Sequence, residues 1–166
     1  MPLVQRWSLA AAAAAAFAAS AMPAGAALIL HKVLPYSVAK DIAEGAIAAC
    51  AAKGYATSAV VVDADGETMV LMRGDNASPL TVENARRKAY TSTMFKQTTA
   101  EYAKKYNDGN PTTRQQVTLP SVIAIPGGVP IKAGDDVIGG VGLSGSPGVD
   151  EDCVNAGLDK VKDQLQ

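Results

Sequence analysis

The side chains able to do chemistry are few. The chain has one histidine, His31, and two cysteines, Cys50 and Cys153. A hydrolytic triad needs a base beside an activated nucleophile, and no serine here sits in a nucleophile-elbow sequence. One histidine and two widely separated cysteines make a thin zinc set. The cysteines either pair as one disulfide in an oxidising compartment or pack as two small apolar thiols. Asp63, Asp65 and Glu67 around Gly66 resemble a calcium loop, but the third early acid and the glutamate at position twelve are missing. Asp65-Gly66 between two apolar runs reads instead as a hairpin turn. Gly140-Val141-Gly142-Leu143-Ser144-Gly145 matches G-x-G-x-x-G. A dinucleotide site needs a further strand with an acidic tip about 20 residues on, where this sequence reads as helix. Those glycines are therefore expected to serve close packing. Arg86-Arg87-Lys88 is either a solvated helix face or an anion clamp for carboxylates or propionates.

The charge balance narrows the classes further. Fifteen Lys+Arg stand against sixteen Asp+Glu in 166 residues, a net charge of −1. That excludes the basic footprint of a nucleic-acid binder. The front of the chain reads as an export signal: Arg6 is the only charge in Met1–Arg6, an uncharged alanine-rich run covers Trp7 to Ala21, and Pro23 precedes Ala24-Gly25-Ala26. Cleavage after Ala26 or Ala27 fits the small-x-small pattern. The expectation is a secretory signal over 1–26, no transmembrane anchor after cleavage, one domain over 27–166, and a periplasmic or secreted protein.

The elements that must position these side chains alternate. A helix is expected from Ser37 to Lys53, stopped by Gly54, with Val38, Ile42, Ala46, Ala49 and Cys50 on one small-residue face. Strands follow at Ala59–Asp63 and Glu67–Arg73, with Met69 and Met72 on opposite sheet faces by alternation. After a loop over Gly74–Pro79 comes a helix from Thr81 to about Lys96. Glu101–Tyr106 continues or restarts it, Asn107–Pro111 breaks the chain, and Thr112–Val117 is a short helical turn. Strands are read at Val122–Ile125, Val129–Ile131 and Asp136–Ser144, and a last helix at Asp150–Leu165, acidic at its start and basic near its end. Hairpins outnumber crossovers, which favours an antiparallel sheet carrying helices.

Two blocks of sequence resemble the GlcG/HbpS family. The first runs from Val60-Val61-Val62-Asp63-Ala64-Asp65-Gly66 through Met72-Arg73-Gly74-Asp75-Asn76-Ala77 to Ala85-Arg86-Arg87-Lys88-Ala89-Tyr90-Thr91-Ser92. The second joins Pro126-Gly127-Gly128-Val129-Pro130-Ile131 to Ile138–Gly145 and to Ala156-Gly157. The family includes extracytoplasmic haem-binding proteins and the C-terminal domain of corrinoid adenosyltransferases. Asn76 stands in the usual glycine place, which a left-handed turn tolerates. Tyr102–Gln116 is longer and more polar than the pattern.

The resemblance implies an α+β, profilin-like sandwich: a five-stranded antiparallel sheet with helices on both faces, assembled as a homo-oligomer. First and last helices lying side by side would make Cys50 and Cys153 neighbours. It also implies haem or a related tetrapyrrole as ligand, with scavenging, storage or sensing of haem iron as the role. The expected pocket draws on Arg73, Asn76, Arg86, Arg87, Lys88, Tyr90, Thr91, Gly127, Gly128 and Pro130. Axial donors to iron are sought among His31, Met69, Met72, Met94, Tyr90 and the Thr91-Ser92-Thr93 hydroxyls, with His31 the best donor chemically. Two other readings stand beside it. One is an enzyme or accessory protein for a small organic acid, using Asp63, Arg73, Asp75, Asn76 and Lys88. The other is an oligomeric regulatory partner of a membrane sensor or a periplasmic oxidoreductase.

Overall fold

The β-branched run that starts at Ala59 becomes β1, Ser58–Asp63, buried on both faces and therefore central. Its turn is built as the residues predict: the Asp63 carboxylate accepts from the amides of Asp65 and Glu67, each at 2.9 Å, and the chain returns as β2, Thr68–Arg73. This is a computed structural model, and it describes residues 30–166. The expected signal segment, 1–26, lies outside the described residues.

Around that hairpin stand α1 (Tyr36–Ala51), α2 (Pro79–Phe95), α3 (Thr99–Asn107), α4 (Pro111–Gln116), β3 (Gly128–Ala133), β4 (Asp136–Ser144) and α5 (Asp150–Asp159). The sheet is antiparallel throughout, in the order β2-β1-β4-β3. Proline at N1 starts α2 two residues earlier than Thr81, since its fixed φ suits a first helical turn. Thr98 and Glu101 form a capping box that restarts the chain as α3. The last helix stops at Asp159 rather than Leu165. The Val161 amide bonds back to the Leu158 carbonyl, a tighter turn, and a short 3₁₀ segment follows at Lys162–Gln164.

Two layers cover the sheet. On one face, α1 and α5 pack Val38, Ile42, Ala46 and Val154 against Val61, Val141 and Leu143. On the other, Ala85 and Ala89 of α2 lie on Val60 and Val62. The glycines of the G-x-G-x-x-G stretch explain how closely α2 approaches: a Cβ at Gly142 would fall 2.1 Å from the Ala85 carbonyl oxygen. Their role is packing, and no phosphate loop is present. Gly157 does the same between helices, where a Cβ would sit 2.5 Å from the Ile42 carbonyl oxygen. That contact sets α1 beside α5, and Cys50 and Cys153 form a disulfide with Cα atoms 5.5 Å apart.

Two expectations fail for local reasons. Val122–Ile125 is no strand, so among the described residues the sheet has four strands and not five. Its backbone is tied to α2 side chains: Arg87 Nη2 donates to the Val122 carbonyl, and the Ile123 amide donates to Thr91 Oγ1 at 3.0 Å. Met69 and Met72 do not face opposite ways. A bulge between Val61 and Val62 skips Met69 in the register, and both methionines pack against the α1-side core.

Candidate functional site

The residues expected to form one pocket are distributed over three places. The first is the junction of α2, β3 and α5, beneath Gly127 and Gly128. Lys88 is 1% exposed, on the same buried stripe of α2 as Thr81, Ala85, Ala89 and Ser92. Its ammonium donates to Asp150 Oδ2 at 2.6 Å and to the Leu143 carbonyl at 2.9 Å. Asp150 Oδ1 accepts from the Ser146 amide and hydroxyl, and the Ser146 hydroxyl lies 2.9 Å from Cys50 Sγ. Burial lowers the Lys88 pKa from its ordinary value, and the Asp150 and Glu151 carboxylates oppose that shift.

The glycines close this junction from above. Gly127 has φ +123°, and a Cβ there would lie 2.8 Å from Lys88 Nζ and 2.7 Å from Asp150 Cβ. A Cβ at Gly128 would meet the Lys88 carbonyl oxygen at 2.4 Å, while its amide donates to Thr99 Oγ1 at 2.8 Å. Pro130 is buried in β3 opposite Gly140. The hollow expected at Gly127-Gly128 is thus filled by the protein's own lysine and aspartate. Lys88, bonded to Asp150 and to the Leu143 carbonyl, is not free to clamp a propionate. The lysine could have been placed by its spacing, since a cation on a stripe of small buried residues requires a buried partner.

The second place is the outer part of α2. Arg86 binds Glu83 through two nitrogens and reaches Ser121, and the Glu83 pKa falls chiefly because of that hydrogen bond. Arg87 secures the Val122 carbonyl, and its buried Nε has no partner. Tyr90 covers the hairpin turn: a Cβ at Gly66 would fall 2.8 Å from its ring, with the Met94 methyl close by. The three hydroxyls after it are occupied, because Thr91 accepts from Ile123 while Ser92 and Thr93 both donate to the Ala89 carbonyl. All three side chains are also buried.

The third place is the open end of the β1–β2 hairpin. A cleft of about 340 Å³ lies between the end of α1, the α1–β1 loop and the residues leaving β2. Ile47, Ala51 and Tyr55 line it together with Thr57, Arg73 and Asp75. Arg73 Nε donates to the Ala77 carbonyl at 2.7 Å, which fixes the guanidinium. Asn76, exposed at φ 61°, holds the turn beyond. Sequence reading named Arg73, Asp75 and Asn76 but missed Thr57 and the α1 residues, which carry no motif. Asp63 belongs to the opposite end of the hairpin and Lys88 to the interior, so the five polar residues considered for an organic-acid site do not converge. His31 is exposed, on the segment before α1. Among the described residues, no three His, Cys, Asp or Glu side chains gather as a metal-binding group.

Residues 34–159 match the family model described as haem degrading protein HbpS-like. The chain belongs to the HbpS-like family. It is similar to HbpS in its crystal structure, with 31% identity, a TM-score of 0.75, and coverage of 81% of this chain and 94% of that one. A double mutant of the Streptomyces reticuli HbpS gives 30% identity and a TM-score of 0.76, covering 92% and 98%. The Escherichia coli K12 protein GlcG is 30% identical over 90 residues, 54% of this chain. That match spans 65% of the curated relative's length. The crystal structure of a PduOC–haem complex shares the fold, with a TM-score of 0.70 at 22% identity, covering 77% of this chain and 94% of that one.

Proposed function

We propose that this HbpS-like chain is an exported protein that binds haem, or a related flat tetrapyrrole, on its outer surface. The observation that carries the reading is the match of residues 34–159 to a family described by its action on haem. The PduOC–haem complex adds a haem-bound example of the same fold. Because the Gly127-Gly128 junction is filled from within, the proposed site is external. The segment before and into α1 suits it: His31 is exposed, and Val33 and Tyr36 are 78% and 64% exposed. An imidazole for iron beside apolar side chains for the macrocycle is the donor set haem requires. Bound haem would supply the iron's redox and ligand-binding chemistry. The chain's part is to offer the imidazole and cover one porphyrin face. Lys32 stands next to His31, in an exposed pair with Asp136 at 3.1 Å that is weak enough to exchange for a propionate.

Export is supported by the Arg6–Ala26 pattern and by the Cys50–Cys153 disulfide, which suits an oxidising compartment. Homo-oligomer formation belongs to the same reading, supported by the exposed Leu71 and Leu80. Haemin titration of the purified chain tests the proposal. A saturating Soret shift of defined stoichiometry is expected, with an altered Soret position in His31→Ala. A featureless rise that never saturates rejects haem binding, and an unchanged Soret position in His31→Ala rejects the axial role.

A further inference from the structure

The cleft at the open end of the β1–β2 hairpin is left without a task by haem binding at the surface before α1. Its two charged residues are of opposite sign and do not engage each other. Among the described residues, no salt bridge involves Arg73 or Asp75, and no hydrogen bond uses the Asp75 carboxylate. Arg73 is nevertheless held in place, since Nε donates to the Ala77 carbonyl and leaves the terminal nitrogens to other partners. A guanidinium fixed in this way offers a paired-donor edge matched to a carboxylate.

A third polar residue, Thr57, lines the same cleft. The Thr57 residue is 1% exposed, and its hydroxyl has no hydrogen-bond partner. Buried hydroxyls are nearly always bonded, and this one, closed to solvent, is left unbonded in a residue that lines the cleft. The apolar part of the lining is Ile47 and Ala51, with Tyr55. A volume of about 340 Å³ is at the small end of ligand pockets. It suits a metabolite of few atoms rather than a macrocycle.

We infer that this cleft binds a free α-amino acid with a small apolar side chain, its carboxylate on Arg73, its ammonium on Asp75 and its side chain against Ile47 and Ala51. A zwitterion matches a cation and an anion that are both unpaired at one cleft. A plain carboxylate would leave Asp75 facing like charge, and a plain amine would leave Arg73 facing like charge. The inference is independent of haem binding, and neither depends on the other's outcome.

Calorimetric titration of the full chain with L-leucine tests it, beside isocaproate without the amine, isoamylamine without the carboxylate, and the hydroxy acid leucic acid. Saturable one-to-one binding of L-leucine is expected. Each analogue should bind at least about tenfold more weakly, the order of effect of losing one charge-assisted contact. Asp75→Asn and Arg73→Gln, checked for native circular dichroism, should each weaken L-leucine by a similar factor. Asp75→Asn should also abolish the preference for L-leucine over leucic acid. Absence of saturable L-leucine binding overturns the proposal. So does leucic acid or isocaproate binding as tightly as L-leucine, or unchanged affinity in Asp75→Asn, whose exposed side chain makes no contact needed for folding.

Discussion

Lys88 and Arg73 lie fifteen positions apart and belong to neighbouring stretches of the same sequence block, yet they are used in opposite ways. Lys88 faces the core, where the Leu143 carbonyl and an Asp150 carboxylate already bonded to Ser146 hold it. Arg73 ends an edge strand, is fixed by one carbonyl and shares a solvent-open cleft with an unpaired Asp75. The first cation joins α2 to α5 and the second is free to meet something from outside. A basic residue in a family motif therefore signals ligand binding only if its charge is not already consumed by the fold.

The contrast can be broken at either end, and the interior should respond most. Asp150→Ala strands a buried ammonium and is expected to cost about 3–5 kcal/mol, read as a fall in the denaturant midpoint. Asp75→Ala in the same assay should stay within about 0.5 kcal/mol, as for an exposed side chain without partners. Equal losses would erase the distinction between the two regions. Removing the bridge comes next: Cys50→Ala with Cys153→Ala should cost about 2–5 kcal/mol through the loop it closes. Gly142→Ala forces α2 off the sheet and should cost about 1–3 kcal/mol by overpacking.

The smallest effect concerns the outer face of α2. Arg86 lowers the Glu83 pKa below 4.5, so the folded state binds the proton more weakly than the unfolded chain. The pair's contribution is present above the unfolded value and disappears as pH falls through the folded one. Both side chains are substantially exposed, so Glu83→Gln should cost only about 0.5 kcal/mol at neutral pH and nothing once the carboxylate is protonated.

Much of this architecture was legible in the sequence because it rests on local rules. The small-residue stripe of α1 and the Asp65-Gly66 turn each determine a nearby backbone shape. Hairpins outnumbering crossovers indicated the antiparallel sheet, and the family blocks added helices on both faces. What escaped was set by groups distant in the chain. Val122–Ile125 has strand-forming residues, yet Arg87 and Thr91 bind its backbone before any strand can. A bulge at Val61/Val62 reversed the face of Met69, and no single-strand pattern reveals where a partner skips a residue. The cleft was half visible, since Arg73 and Asp75 carry charges, while Ile47, Ala51 and Thr57 are ordinary residues that only the fold brings to them.

We propose that a tetrapyrrole meets this protein outside, before α1, while the Gly127-Gly128 junction serves structure alone. Amide chemical-shift mapping with gallium protoporphyrin, a diamagnetic haem analogue, tests it most directly. Perturbations should gather at His31–Tyr36 and saturate, with Gly127, Gly128 and Lys88 unmoved. Saturable shifts centred on Gly127 and Gly128, with His31–Tyr36 silent, would contradict the account.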